Sequence, residues 1–371
     1  MQTSVATALP RPSTGFAAYR AQTYFSSLDG LRFICIMAVL WHHAPVWPDM
    51  QQPSPILTRG FLGVDFFFVL SGYLITTLLV REEDRHGRFS VRGFYWRRIL
   101  RILPVYFLIV TALGVYYIFV KGEVGYLAQW PYYYLFLANF LTDHIPMLPP
   151  TWSLSVEEQF YMIWPLLLLV LPRRWMLPVL AVLIAINLAA VTGALAPFGI
   201  VPVDLGVLRF EMFTTTYAPI LMGSALALLL HHARSFDVIA RLLGRRVMPL
   251  VLFAALAVLI DLMPPQLAGW PNLVLHLTMT ACLASLVVRE DHVLRPVMTL
   301  RPVAWIGTIS YGIYLYHLIA LHIATVIAGP PDASSLPLLL FLYVGLTLAI
   351  SGLSFRYFEE PILRFRRYRA H

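Results

Sequence analysis

Apolar residues fall along this chain in long runs broken by short polar stretches, a pattern of helices and not of alternating strands. Leu28 to Ala44 and Phe61 to Val80 are the first two runs, a third ends near Val120, and a fourth covers Thr151 to Leu171. Six more lie at about 175–196, 214–230, 247–263, 272–288, 303–328 and 336–357. A helix needs about 20 mostly apolar residues to cross a bilayer. Trp130 to Leu141 is aromatic and apolar but only about twelve residues long, so it predicts a re-entrant or surface helix. The pattern therefore predicts an all-α fold: a polytopic transmembrane helical bundle of about ten spans, with that short helix near 130–142. It divides the chain into a lead at 1–26, a transmembrane domain at 27–358 and a basic tail at 359–371.

Composition fixes the solvent. With 59% hydrophobic residues, 12% charged residues and mean hydropathy +0.73, a soluble domain is excluded. The basic pI of about 9.6 does not point to nucleic acid, because the basic residues sit in short loops between apolar runs. There they report orientation. If Trp130 to Leu141 does not cross, 24 of the 27 Lys and Arg fall on one side, and only Arg59, Lys121 and Arg209 face the other. Letting that segment cross reverses the balance, to 11 inside against 16 outside. The first arrangement puts both termini in the cytoplasm of a multi-pass protein of the cell's inner membrane. Cys35 and Cys282 lie inside apolar runs and give neither a disulfide framework nor metal-ligand spacing.

Ionisable residues inside a membrane are costly and mark functional paths. Arg32 and His43 are eleven residues apart, three turns plus about 20°, so they share a face about 16 Å apart along the axis. Asp65, and the Ser71-Gly72 pair six and seven residues further on, mark the second run. Arg98 and Arg101, at i and i+3, form a guanidinium pair suited to bidentate phosphate recognition. Glu157 and Glu158 head the fourth span beside Tyr161 and Trp164. His317 lies mid-span in SYGIYLYHLI, where a satisfied core histidine and a catalyst are equally good readings. Glu359 and Glu360, with the tail arginines, read as an interfacial clamp.

Five blocks make the chain similar to a known family: LDGLR with Arg32-x10-His43, FF-x-x-SG-x-L-I at Phe67 to Ile75, Arg98-x-x-Arg101, WSL-x-x-E-x-x-FY at Trp152 to Tyr161, and SYGIYLYHLI. It resembles the acyltransferase-3 family, integral membrane enzymes that acylate sugars and other cell-surface molecules. The resemblance implies ten spans, and an acyl-CoA co-substrate, acetyl-CoA in the usual case, whose nucleotide end sits on Arg98 and Arg101. Arg32 and Ser71 join them as donor-binding candidates. The acceptor would be a carbohydrate or glycolipid, selected by the loops at Pro45–Gly60 and Pro197–Phe213. No permanently bound cofactor and no metal is expected. The Arg-x10-His spacing selects His43 over His42 as general base, with Glu157 or Asp65 holding its tautomer. A secondary transporter or a flippase for lipid-linked sugars is the alternative, although the chain lacks the half-to-half similarity and matched broken helices of such proteins.

Overall fold

The computed structural model describes residues 15–46, 54–199, 201–210, 217–332 and 334–365. Ten helices of thirteen residues or more occur among them: α1 Ser27–His42, α2 Leu62–His86, α3 Val91–Val115, α4 Thr151–Val170, α5 Arg173–Val191, α6 Ala218–Leu230, α7 Met248–Leu262, α8 Trp270–Val288, α9 Ser310–Ala328 and α10 Leu336–Ser354. Each covers most of one apolar run, α2 continuing past Val80 to His86. Six helical segments are long and apolar enough to cross a membrane, and seven if Ala233–Leu243 and α7, bent by 73°, count as one span. This is the architecture of a multi-pass membrane protein. The paired strands among the described residues are a two-residue ladder, Val203–Asp204 against Arg209–Phe210.

Three details depart from the plain pattern. The run at 303–328 is divided at Ile309 into Arg301–Thr308 and α9. Gly307, just before the break, lies against the Asp29 backbone, so the shorter piece is held by α1. Trp130 to Leu141 folds as a five-residue helix, Trp130–Tyr134, and a 3-10 turn, Ala138–Phe140, too short to cross. Beyond α10, a π turn at Phe355–Glu359 carries the chain into a further helix, Glu360–Arg364, past the boundary expected at 358. Residues 1–14 of the lead, 47–53, 200 and 211–213 of the two loops assigned to acceptor selection, and the tail arginines Arg366, Arg367 and Arg369 lie outside the described residues.

The core is organised by α2. Its Val64, Phe68, Ile75 and Leu79 belong to an apolar cluster with residues of α3, α4, α9 and α10. Its Leu62, Phe66, Val69, Leu70 and Tyr73 belong to a second cluster, with residues of α6 and α8. A helix apolar all round is one buried on all sides, and 78% of the apolar window of α2 is buried, against 22% for α5. Two glycines set its distance from α6. A Cβ on Gly72 would collide with the Ile220 carbonyl, and one on Gly223 with the Val69 carbonyl, so the two backbones touch reciprocally. Trp164 Nε1 donates to Thr76 Oγ1 at 2.8 Å and fixes α4 against the same helix.

Charged chain ends gather at one end of the bundle. Arg20 pairs with Asp84 at 2.9 Å, and Arg173 with Glu83 at 2.7 Å. His231 Nε2 lies 3.3 Å from Asp84. Ser27 Oγ and His292 Nε2 are 3.0 Å apart, and Arg246 donates to the Asp291 carbonyl at 3.0 Å. Arg289 donates to the Asp291 side chain and holds that carboxyl below the usual carboxylate range. Five of the six segments that the sequence puts on the basic side thus meet. Arg59, from the opposite set, instead donates to the carbonyls of Ile260, Met263 and Pro264.

The reciprocal glycine contact gives a direct test. Gly72→Val has to push α6 away and is expected to destabilise the fold by about 1–3 kcal/mol. Thermal unfolding in detergent checks this, and an unchanged midpoint would mean that the two backbones are not in contact.

Candidate active site

A cavity of about 260 Å³ lies between α1, α2, α3, α4 and α9. Arg32, Ser71, Arg98, Arg101 and Glu157 line it together with Tyr161, Ser153 and Tyr314. Five of the seven candidate residues therefore converge from four separate helices.

Six of the polar wall residues have fixed partners. Arg32 Nη1 donates to Asp29 Oδ1 at 2.5 Å, one turn back in the Asp-Gly-Leu-Arg stretch, and Tyr24 donates to the same carboxylate. Arg98 lies over the ring of Tyr161 at 5.0 Å and that of Phe94 at 5.8 Å. Flat aromatic faces steady a guanidinium without consuming its donors. Ser71 donates to Glu157 Oε1 at 2.6 Å, which joins α2 to α4 across the cavity wall. Glu158 Oε1 is buried with no hydrogen-bond partner among the described residues. Also in the lining, the Tyr314 hydroxyl is 2.7 Å from Ser153 Oγ and donates to the Pro150 carbonyl at 2.9 Å.

His43 and Asp65 do not line the cavity. His43 caps α1 and its Nδ1 is 3.0 Å from the Val39 carbonyl. A carbonyl only accepts, so Nδ1 carries the proton and the neutral ring keeps its lone pair on Nε2. The tautomer is thus set by the histidine's own helix, and not by Glu157 or Asp65 as the sequence suggested. Asp65 is engaged by His276 Nε2 at 3.1 Å, in a pair with both residues buried. Helix rotation explains this. Gly60 and Gly63 face α1, against Ala38 and Cys35, and Asp65 lies about 200° further round, towards α8. The His42 Nδ1 contact is with the Thr58 carbonyl at 2.9 Å.

The residue that does meet His43 is His317. The two ring centroids are 4.8 Å apart. His317 Nδ1 is 2.7 Å from the carbonyl of Tyr314, a residue of the cavity wall. The guanidinium cavity and the histidine pair are therefore separated by one residue. Among the described residues, no group of three His, Cys, Asp or Glu could hold a metal ion.

The family described as an acyltransferase domain, acyltransferase-3, matches residues 25–356. The chain belongs to the acyltransferase-3 family. It is 28% identical over 365 residues to the peptidoglycan O-acetyltransferase OatA of Listeria monocytogenes, covering 92% of this chain and 56% of that protein. It is 29% identical over 368 residues to the putative peptidoglycan O-acetyltransferase YrhL of Bacillus subtilis, covering 91% and 55%. A putative O-acetyltransferase of Staphylococcus aureus is 34% identical over 169 residues, covering 42% and 27%. The chain spans about half the length of the first two. No solved structure matches.

Within this acyltransferase domain, sequence reasoning overlooked His276. Its signal was a lone ionisable residue in the apolar run 272–288, and its partner Asp65 lies on a helix distant in sequence. Removing one member of a buried pair strands the other, at about 3–5 kcal/mol, whereas replacing both by apolar groups can be neutral. Asp65→Ala is therefore expected to be strongly destabilising in denaturant or thermal unfolding, and Asp65→Ala with His276→Leu to recover much of the loss. If the second change adds to the first, the two residues are not coupled.

Proposed function

We propose that this chain transfers an acyl group, acetyl in the simplest case, from a cytoplasmic acyl-CoA to a hydroxyl of a cell-envelope glycan. Peptidoglycan is the acceptor that the names of its relatives favour. The observation that carries this reading is the cavity that joins Arg32, Arg98 and Arg101 at its wall with Tyr314, whose carbonyl lies against His317 of the His43–His317 pair.

In this reading the ten long helices are ten spans, with both termini and the arginine-bearing loops in the cytoplasm. The nucleotide phosphates of the donor meet Arg98 and Arg101, whose forked donors suit them. Glu157, bound to Ser71, is the local counter-charge on that wall. The thioester lies beyond Tyr314, near the outer end of α1. His43 Nε2 removes the proton of the acceptor hydroxyl as its oxygen attacks the thioester carbon. The carbon–sulfur bond then breaks, the thiolate takes the proton back from the imidazolium, and an ester and free CoA result. No charged intermediate leaves the membrane interior.

The test is an assay in proteoliposomes with acetyl-CoA and a soluble peptidoglycan fragment. His43→Ala is expected to lower turnover by about 10²–10⁴ and to leave acetyl-CoA binding intact, whereas His42→Ala keeps most activity. Arg98→Ala is expected to weaken acetyl-CoA binding roughly 10- to 150-fold, since a hydrogen bond to a charged group is worth about 1.5–3 kcal/mol. Normal turnover by His43→Ala, or unchanged binding by Arg98→Ala, would contradict the reading.

A further inference from the structure

On the α2 wall of the cavity, Ser71, Leu74, Ile75 and Leu78 stand at i, i+3, i+4 and i+7 and line it as one stripe. Exposure rises along that stripe towards His86. Ile75 is fully buried, Leu74 half-buried and Leu78 54% exposed. No other residue of α2 between Leu62 and Glu83 is exposed. A large apolar side chain left open on an otherwise buried helix calls for a reason.

The α3 wall is a second stripe, Arg98, Arg101 and Ile102. An ion pair relates the two. Arg97 donates to Glu82 at 2.9 Å, across helices joined by residues 87–90. Leu78 is one turn before Glu82 on α2, and Arg101 one turn after Arg97 on α3. Leu78 and Arg101 therefore stand at about the same level. Arg101 is exposed there too, so the cavity opens at that level, between an apolar edge and a guanidinium edge.

Lipid does not account for the open leucine. Acyl chains exclude charged side chains, and Leu78 shares its cavity with Arg32, Arg98, Arg101 and Glu157. Phosphate alone does not account for it either, because guanidinium recognises phosphate by charge and fork geometry. A ligand that uses both edges carries phosphates and, close by, a flat ring with apolar faces. A nucleotide has both. Its phosphates meet arginine, and its base covers leucine and removes apolar surface from water.

We propose that Leu78, with Leu74 one turn deeper, is the shelf for the nucleobase of the acyl donor, whose phosphates are held by Arg98 and Arg101. This rests on acyl-CoA being the donor in the reading above, and it turns a phosphate site into a nucleotide site. The base stays at the open mouth, and the arm that bears the thioester enters among the buried residues of the lining. Leu78 then makes the chain select a nucleotide-bearing thioester over one that ends in phosphate.

The experiment measures affinities of the full chain in lipid nanodiscs for CoA, 3′,5′-ADP and 4′-phosphopantetheine, which keeps a phosphate and the arm but has no base. Leu78→Ser is expected to weaken CoA and 3′,5′-ADP about 4- to 15-fold, through loss of the apolar surface that a base covers, and to leave 4′-phosphopantetheine within about twofold. Leu78→Phe, which keeps an apolar surface and adds a flat face, is expected to bind CoA at least as tightly as wild type. Unchanged CoA affinity in Leu78→Ser would overturn the proposal, and is the result if a lipid chain covers Leu78. An equal loss for all three ligands would also overturn it, because the cavity as a whole would have changed. Wild type that binds neither CoA nor 3′,5′-ADP would overturn the shelf and the donor together. A chain whose CoA affinity depends on Leu78 but which moves no acetyl group to a soluble peptidoglycan fragment would defeat the transfer reading and leave the nucleotide shelf.

Discussion

A charged or polar side chain within a bilayer persists only where a counter-charge, a carbonyl or a cavity receives it, and the interior of this protein is arranged around that constraint. Asp29 receives Arg32, Asp65 receives His276, and Ser71 binds Glu157. Arg59 is absorbed by three main-chain carbonyls where α7 ends. Pairing within the membrane needs helices brought close and held in register. The reciprocal contact of Gly72 and Gly223 does this for α2 and α6, and α2, walled in on both sides, becomes the surface against which the site is built.

The same constraint separates two kinds of buried polar group. Asp65 and His276 satisfy each other away from the cavity and read as structure. Arg98 is steadied by aromatic rings that leave its donors available, and the nitrogens Nε2 of His43 and His317 are not used by the fold. Groups that the fold holds without consuming are the ones free to act on a substrate.

Much of this was legible in the sequence, because periodicity and apolar length are local. The ten runs became helices, the spacing of Arg98 and Arg101 put both on the cavity wall, and the shortness of Trp130 to Leu141 marked it as unable to cross. What was not legible is how each helix is turned about its own axis relative to the next. Asp65 and His43 were expected to meet because they lie at similar depth, yet Gly60 and Gly63 are the residues that face α1, and this turns Asp65 to α8. For the same reason His317 could be noticed as an ionisable residue mid-span but not assigned a neighbour. His276 was passed over because one histidine in an apolar run carries no spacing signal.

The central claim is the proposal that Arg98 and Arg101 on the cavity wall take the phosphates of an acyl-CoA, and that its acyl end reaches His43 past Tyr314. A cryo-EM structure of the full chain in nanodiscs with a non-hydrolysable acetyl-CoA analogue tests it most directly. The account predicts nucleotide phosphates against Arg98 and Arg101, and the analogue's acyl end beyond Tyr314 within reach of His43. Density for the nucleotide elsewhere on the protein, or an acyl end directed away from the histidines, would contradict it.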